Sequence, residues 1–203
     1  MNKVIVSLAC ASALISGVMA EESGVFVGLE AGLGDFKAER TVTQQGTDTE
    51  IASGGRYGLT LGYKRFFTPR IGLRYYANVS FNNFSKQGDT VRLTNYGANV
   101  DFLGNFIATE SVSFGGFIGI GLGGNAWHNR AFPAIKALAT TFNKNGFDLA
   151  LNVGLRTNLF THHGIEIALR MPLFANNIVE GATTGRLDYE NTYNVVARYI
   201  FSF

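Results

Sequence analysis

Phe147-Asp148-Leu149-Ala150-Leu151-Asn152-Val153-Gly154-Leu155-Arg156-Thr157-Asn158-Leu159 is the stretch that decides the fold. Phe147, Leu149, Leu151, Val153, Leu155 and Leu159 share one set of alternate positions with Thr157. Asp148, Ala150, Asn152, Gly154, Arg156 and Asn158 take the other set. A period of two sends successive side chains to opposite faces of an extended strand, so this segment has one apolar face and one polar or small face. A helix would scatter the same residues round its circumference.

The same pattern appears in seven further segments on either side. Val25, Val27, Leu29, Ala31 and Leu33 alternate with Gly28, Glu30, Gly32 and Gly34. Tyr57, Leu59, Leu61 and Tyr63 alternate with Arg56, Gly58, Thr60, Gly62 and Lys64; Ile71 to Phe81 and Tyr96 to Leu103 repeat the arrangement with Arg74 and Asp101 on the polar face. Val112 to Gly124 sets Phe114, Ile118, Ile120 and Leu122 against a face rich in glycine. Ile165 to Leu173 places Glu166 and Arg170 on the polar face, and Tyr193 to Phe203 places Arg198 there.

Alternation alone fits a soluble barrel as well as a membrane one, with opposite senses of inside and outside. The composition of the two faces separates them. One face is large, aromatic and continuous, which suits lipid, while glycines and isolated charges suit a narrow lumen. Connection lengths add a second signal. Residues 66–70, 107–111 and 160–163 are short links, whereas 37–55, 82–91, 125–146 and 175–191 are long and rich in Gly, Asn, Thr or charge. Strict alternation of short and long links is the pattern of periplasmic turns and extracellular loops. Eleven residues at about 3.3 Å each, tilted by about 45°, rise about 26 Å, close to the apolar band of about 25 Å. Tyr57, Phe81, Tyr96, Phe147 and Tyr193 near one border, with Phe67, Phe114, Phe160 and Phe203 near the other, are placed to form interfacial girdles.

The expected fold is therefore all-β: a transmembrane, up-and-down antiparallel barrel of eight strands, both termini periplasmic and the long loops extracellular. It is expected to follow a cleaved signal peptide. Residues 1–20 carry Lys3, an apolar centre from Val4 to Ile15, and Val18-Met19-Ala20 before Glu21, the order of a secretory signal with a small-residue cleavage site. This divides the chain into a leader, 1–20, and a barrel, 21–203. No stretch of 18 apolar residues occurs, so a membrane-spanning helix is not expected. Cys10 lies in the leader, leaving the exported chain without thiol or disulfide. Loss of Lys3 leaves 16 basic against 15 acidic side chains, a near-neutral balance that gives nucleic-acid binding no support.

The chain ends Tyr193-Asn194-Val195-Val196-Ala197-Arg198-Tyr199-Ile200-Phe201-Ser202-Phe203. Aromatic residues at alternate positions before a terminal Phe resemble the last strand that outer-membrane proteins present to their barrel-assembly machinery. Taken with the leader, the pattern resembles the small Helicobacter-type outer membrane protein family and, more broadly, eight-stranded OmpA-, OmpX- or OmpW-like barrels. The resemblance implies an assembly signal at Tyr199, Phe201 and Phe203, handling by periplasmic chaperones, and a setting among outer-membrane lipid and lipopolysaccharide. Neither the large extracellular domain of adhesins in that family nor a peptidoglycan-binding domain is expected, so their roles are not carried over.

The remaining motifs argue against chemistry. Gly119-Ile120-Gly121-Leu122-Gly123-Gly124 matches a dinucleotide-binding pattern by letter, but it sits in a strand and opens no helix to receive a pyrophosphate. His128 has no neighbouring Ser nucleophile, and His162-His163 occupies a short link without a third ligand, so catalytic and metal sites are not expected. Pro133 to Phe142 sets Ile135, Leu138, Ala139 and Phe142 at helical spacing behind a helix-starting Pro, which predicts a short helix packed on the barrel rim. The informative chemistry is in the lumen, where Arg56, Lys64, Arg74, Arg156, Arg170 and Arg198 face Glu30, Asp101, Asp148 and Glu166. An eight-stranded barrel is only wide enough for side chains to fill, so these charges should pair and plug it. The function expected is a non-enzymatic barrel anchoring extracellular loops, for envelope integrity or surface interaction, with no cofactor. A small porin-like channel is the alternative, and a lipid-modifying enzyme the third. A partner for the loops outside the cell is left open.

Overall fold

The computed structural model describes residues 21–42, 46–86, 89–181 and 185–203; the predicted leader, with Cys10, lies outside them. The strands are β1 (Gly24–Val42), β2 (Gly46–Thr68), β3 (Ile71–Lys86), β4 (Asp89–Ala108), β5 (Val112–Asn129), β6 (Thr141–Phe142), β7 (Asn145–Leu159), β8 (His163–Pro172), β9 (Asn176–Gly181) and β10 (Gly185–Ser202). Helix α1 (Phe132–Leu138) lies between β5 and β6. Strands β1, β2, β3, β4, β5, β7, β8 and β10 pair in that order, each antiparallel to the next. The ring closes where β1 meets β10, from Phe26 opposite Ser202 to Thr41 opposite Arg186. The remaining two strands are additions at the long-link end: β9 pairs with β10, and β6 with β9.

The register also sets the girth. A walk by facing partners from Lys64 passes Arg74, Asp101, Gly119, Asn152, Arg170, Asn194 and Gly34, then returns to β2 at Gly54, ten residues from its start. Strand number and this stagger together fix tilt and diameter, and for eight strands the interior has room for side chains only.

Outward positions carry the large apolar residues, with Leu33 69% and Leu59 54% exposed, whereas Arg74 and Asp101 are 2% and 0% exposed. A water-soluble barrel would show the reverse, so the outer band is a surface for hydrocarbon. Inward glycines make the filled interior feasible. A Cβ on Gly154 would come within 2.7 Å of the Phe117 ring, so glycine there leaves the ring its place inside.

The long links differ from the sequence expectation, because most of their residues continue the barrel wall. β1 and β2 pair without a break from Gly24–Lys64 to Val42–Gly46, and β3 and β4 pair to Lys86–Asp89. Beyond the membrane band an outer face no longer needs to be apolar, so charge and threonine there disguise a strand as a loop. The inner face stays apolar: Phe36, Phe84, Val91, Leu93, Trp127, Ile178, Val179 and Tyr189 form one buried cluster. Phe36 stacks on Phe84 at 5.3 Å and meets Tyr189 edge-on at 4.9 Å. A bulge in β10 beside Asp35 and Phe36 moves the partner from Tyr193 to Asn191, which brings Asn191 and Tyr189 to the inner face.

Helix α1 has Pro133 in its first turn, as its sequence requires. It starts at Phe132 and stops at Leu138, leaving Phe142 to β6 rather than to the helix. Phe132 still meets Phe142 edge-on at 5.2 Å and joins the aromatic cluster, with Ile135 and Ala139 packed against it. The helix thus covers one end of the barrel.

Candidate functional site

The interior is the most distinctive chemistry of the fold. Because strand parity points every second side chain inward, the charged residues of seven different strands converge. Arg56 donates from Nε to Glu30 Oε1 at 3.0 Å, and Arg198 Nη2 to Glu30 Oε2 at 3.1 Å. Arg198 Nη1 also donates to Glu166 Oε2 at 3.0 Å, and Arg74 reaches the other Glu166 oxygen. Arg74 Nη2 then donates to Asp101 Oδ2 at 2.7 Å. The result is an alternating chain, Arg56, Glu30, Arg198, Glu166, Arg74, Asp101, joined by five guanidinium–carboxylate links. Several of these pairs are built directly by register, with Glu30 facing Arg198, Arg198 facing Glu166, and Arg74 facing Asp101.

A second knot sits at the short-turn end. Lys64 Nζ donates to Glu21 Oε1 at 2.7 Å, Arg156 binds the same carboxylate, and Ser113 Oγ donates to Glu21 Oε2 at 3.3 Å. Burial pushes the Glu21 carboxyl up, but Arg156 and Lys64 outweigh that effect and hold it below the ordinary carboxylate value. Towards the other end, Arg170 pairs with Asp148 and donates to Asn99 Oδ1 at 3.2 Å and Asn152 Oδ1 at 3.1 Å. Above it an asparagine ladder continues: Asn95 donates to Asn125 at 2.9 Å, and Asn125 to Asn176 at 3.0 Å. Trp127 Nε1 donates to the same Asn176 oxygen at 2.8 Å, which joins the polar lumen to the aromatic cluster.

All ten residues expected in the lumen, Glu30, Arg56, Lys64, Arg74, Asp101, Asp148, Arg156, Glu166, Arg170 and Arg198, are buried there. Apolar rings share the space. The guanidinium of Arg74 lies 4.8 Å from the Phe117 ring centre and 5.2 Å from that of Tyr76, where a cation and a π-face attract. Glu21 is the acid that sequence reasoning missed. It precedes the first alternating residue, so parity could not assign it a face; the surplus of six bases over four acids was the available hint. The inward asparagines were legible as polar positions, though not as a connected ladder.

The three expected assembly residues lie at the turn end of β10. Tyr199 and Phe203 are exposed to the outside, and Phe201 lies beside Phe203 with ring centres 5.2 Å apart. Tyr199 is also within 2.7 Å of His163 Nδ1, and His162 Nδ1 is 2.9 Å from the Ser202 carbonyl. Those two histidines therefore tie the β7–β8 turn to the last strand, while His128 is exposed on the outer face of β5.

A model of the family described as Helicobacter outer membrane protein matches residues 58–203. The chain belongs to that family. Two solved barrels share its fold: Neisserial surface protein A, at 16% identity and TM-score 0.51, with 89% of this chain and 98% of that one covered; and OprG from Pseudomonas aeruginosa, at 16% identity and TM-score 0.54, with 92% and 100% covered. No curated protein matches significantly. As a Helicobacter-family outer membrane protein it resides in the bacterial outer membrane, where short turns face the periplasm and long connections face outward. The Glu21 knot is then at the periplasmic mouth, and the aromatic cluster with α1 at the extracellular one.

Proposed function

We propose that the protein is a non-conducting, non-catalytic barrel that anchors its extracellular wall and helix in the outer membrane. The filled cross-section carries this reading. From the periplasmic mouth outward, the Glu21 knot, the six-member charge chain, the asparagine ladder and the aromatic cluster follow one another. A solute would have to part paired charges whose alternative partners are absent from the apolar rings between them. Catalysis would need a nucleophile, base and orienter brought together at an accessible place, and the buried acids are instead taken up by arginines. Planar-bilayer recording of the purified protein tests the main claim. No stepwise conductance is expected, and reproducible steps of uniform size would favour the channel reading. Lipid A mass spectra of a deletion strain should match the parent; a lost or gained acyl or phosphate group would favour the enzyme.

Two further parts of the reading concern biogenesis. Tyr199, Phe201 and Phe203 serve as the signal for the barrel-assembly machinery, after periplasmic chaperones have carried the chain. Residues 1–20 are removed, which makes Glu21 the first residue of the mature protein. The burial of Glu21 beside Lys64 and Arg156 supports that boundary, since a continuing leader would have to leave through the periplasmic mouth. Intact mass of the protein from outer membranes decides the cleavage point.

A further inference from the structure

The cations of the lumen are paired with carboxylates, whereas Arg92 and His128 point the other way and are exposed on the outer wall, and Arg130 is exposed in the turn that follows β5. Arg92 on β4 faces His128 on β5 across the hydrogen-bonded ladder, and Arg92 also faces Asn83 on β3, which faces Gly55 on β2. These four positions form one row across four strands. The next row towards the membrane is Tyr57, Phe81, Thr94 and Ala126, with Tyr57 and Phe81 in ring contact at 5.5 Å. An aromatic border of this kind marks headgroup depth. Among the described residues, neither Arg92 nor Arg130 is paired with a carboxylate.

The row is concave as well as cationic. A groove of 620 Å³ runs between Tyr57, Phe81, Asn83, Arg92 and His128. A second of 280 Å³ shares Thr90, Arg92 and His128 and is bounded by Asn129 and Arg130. Nothing approaches the missing side chain of Gly55 within 4 Å, so the ledge is open on that side. We propose that this ledge binds the phosphate groups of the glycolipid of the outer leaflet, with the sugar lying in the groove and the acyl chains running down past Tyr57 and Phe81. Guanidinium groups bind phosphate oxygens through paired donors, and basic pockets at headgroup depth are the usual way a membrane protein holds an anionic lipid. The place of Arg92 and His128 on the outer wall, one row from the aromatic border of Tyr57 and Phe81, selects a membrane lipid over a soluble anion. The inference uses the outward orientation of the long connections and is independent of whether the lumen conducts.

The test is native mass spectrometry of protein purified from outer membranes, titrated in detergent with diphosphorylated lipid A, with the same lipid stripped of both phosphates, and with inorganic phosphate as competitor. Diphosphorylated lipid A should bind at least about tenfold more tightly than the stripped form, a difference of about 1.4 kcal/mol. Arg92→Gln with Arg130→Gln should remove that advantage, while Arg186→Gln, on the opposite strand β10, should leave it intact. Heat-modifiable gel mobility checks that the variants fold, and the comparison of lipids needs no variant. Equal binding of the two lipids, unchanged binding by the double variant, or an equal loss in Arg186→Gln would overturn the proposal. Displacement of the lipid by inorganic phosphate at similar concentration would also overturn it, in favour of a free-anion site.

Discussion

Lys64 Nζ lies 2.7 Å from Glu21 Oε1, joining the barrel wall to a residue that precedes its first strand. With Arg156 on the same carboxylate, one acid is the shared partner of two buried cations. Glu21→Gln keeps the shape and removes the charge, so it should cost about 3 kcal/mol, the scale for breaking a buried pair. The sign with pH follows from the lowered carboxyl. Its contribution is complete above the ordinary value of 4.5 and is lost as pH falls through the lower folded value. Urea unfolding in lipid vesicles should therefore show a wild-type advantage that shrinks on acidification; an advantage that grew would reverse the assignment.

Leu151 and Asn152 are adjacent and point to opposite sides of the wall. Leu151→Arg places a cation in hydrocarbon and should cost about 2 to 4 kcal/mol near the midplane. Asn152→Asp places a carboxylate where Arg170 Nη1 is 3.1 Å away, at the loss of the bond that Asn152 Nδ2 donates to Asn99 Oδ1, and should cost about 1 kcal/mol, less than Leu151→Arg. Equal losses in reversible unfolding would mean that the two faces had been assigned wrongly.

The β7–β8 turn holds Phe160 at φ 50° and Thr161 at φ 69°, left-handed values that cost a β-branched residue most. Thr161→Gly should relieve that strain and raise stability by about 1 kcal/mol. Asn158 donates to the Thr161 carbonyl at 2.9 Å, a bond that the substitution keeps. A lower unfolding midpoint for Thr161→Gly would show that its side chain matters more than its backbone.

Phe203 closes the seam through its backbone N–H, which donates to the Val25 carbonyl at 2.9 Å, while its ring is exposed. Deleting it removes one ladder bond, about 1 kcal/mol, so the purified protein should still refold. In cells the folded, heat-modifiable form should fall well below wild type if the ring is the assembly signal. Unchanged levels in the outer-membrane fraction would remove Phe203 from that role.

Trp127 is the single tryptophan and is 0% exposed, inside the wall at the extracellular end. Its emission should shift to shorter wavelength on folding, and brominated acyl chains should quench it little. Strong quenching by brominated lipid would place the indole on the hydrocarbon side.

How far the sequence reached can be argued from individual residues. Leu151 and Asn152 could be assigned to faces because both lie where hydrocarbon enforces the alternation. Trp127 and Tyr189 could not, because outside the membrane band the outer face loses its apolar signature and strand looks like loop. Tyr189 was further hidden by the bulge near Asp35, a backbone event that reverses parity with no clear residue cue. Among the charges, Arg74 and Asp101 were legible as inward, but the partner Arg74 finds in Glu166, 92 residues away, depends on ring closure and stagger. His128 read as a loop residue, and Arg92 fell between the expected link and the fourth segment, so neither could be given a face; in the structure β4 and β5 extend past the aromatic border.

The seam between β1 and β10 has a consequence for the timing of biogenesis. β1 begins at Gly24 and its closing partner ends at Ser202, so the outer edge of the first strand has no mate until synthesis has reached β10. An unpaired strand edge invites wrong partners, and contacts this distant in sequence form slowly. Export must therefore keep the strands from β1 to β10 open, and the barrel can be sealed only after β10 has arrived, never strand by strand as it is made.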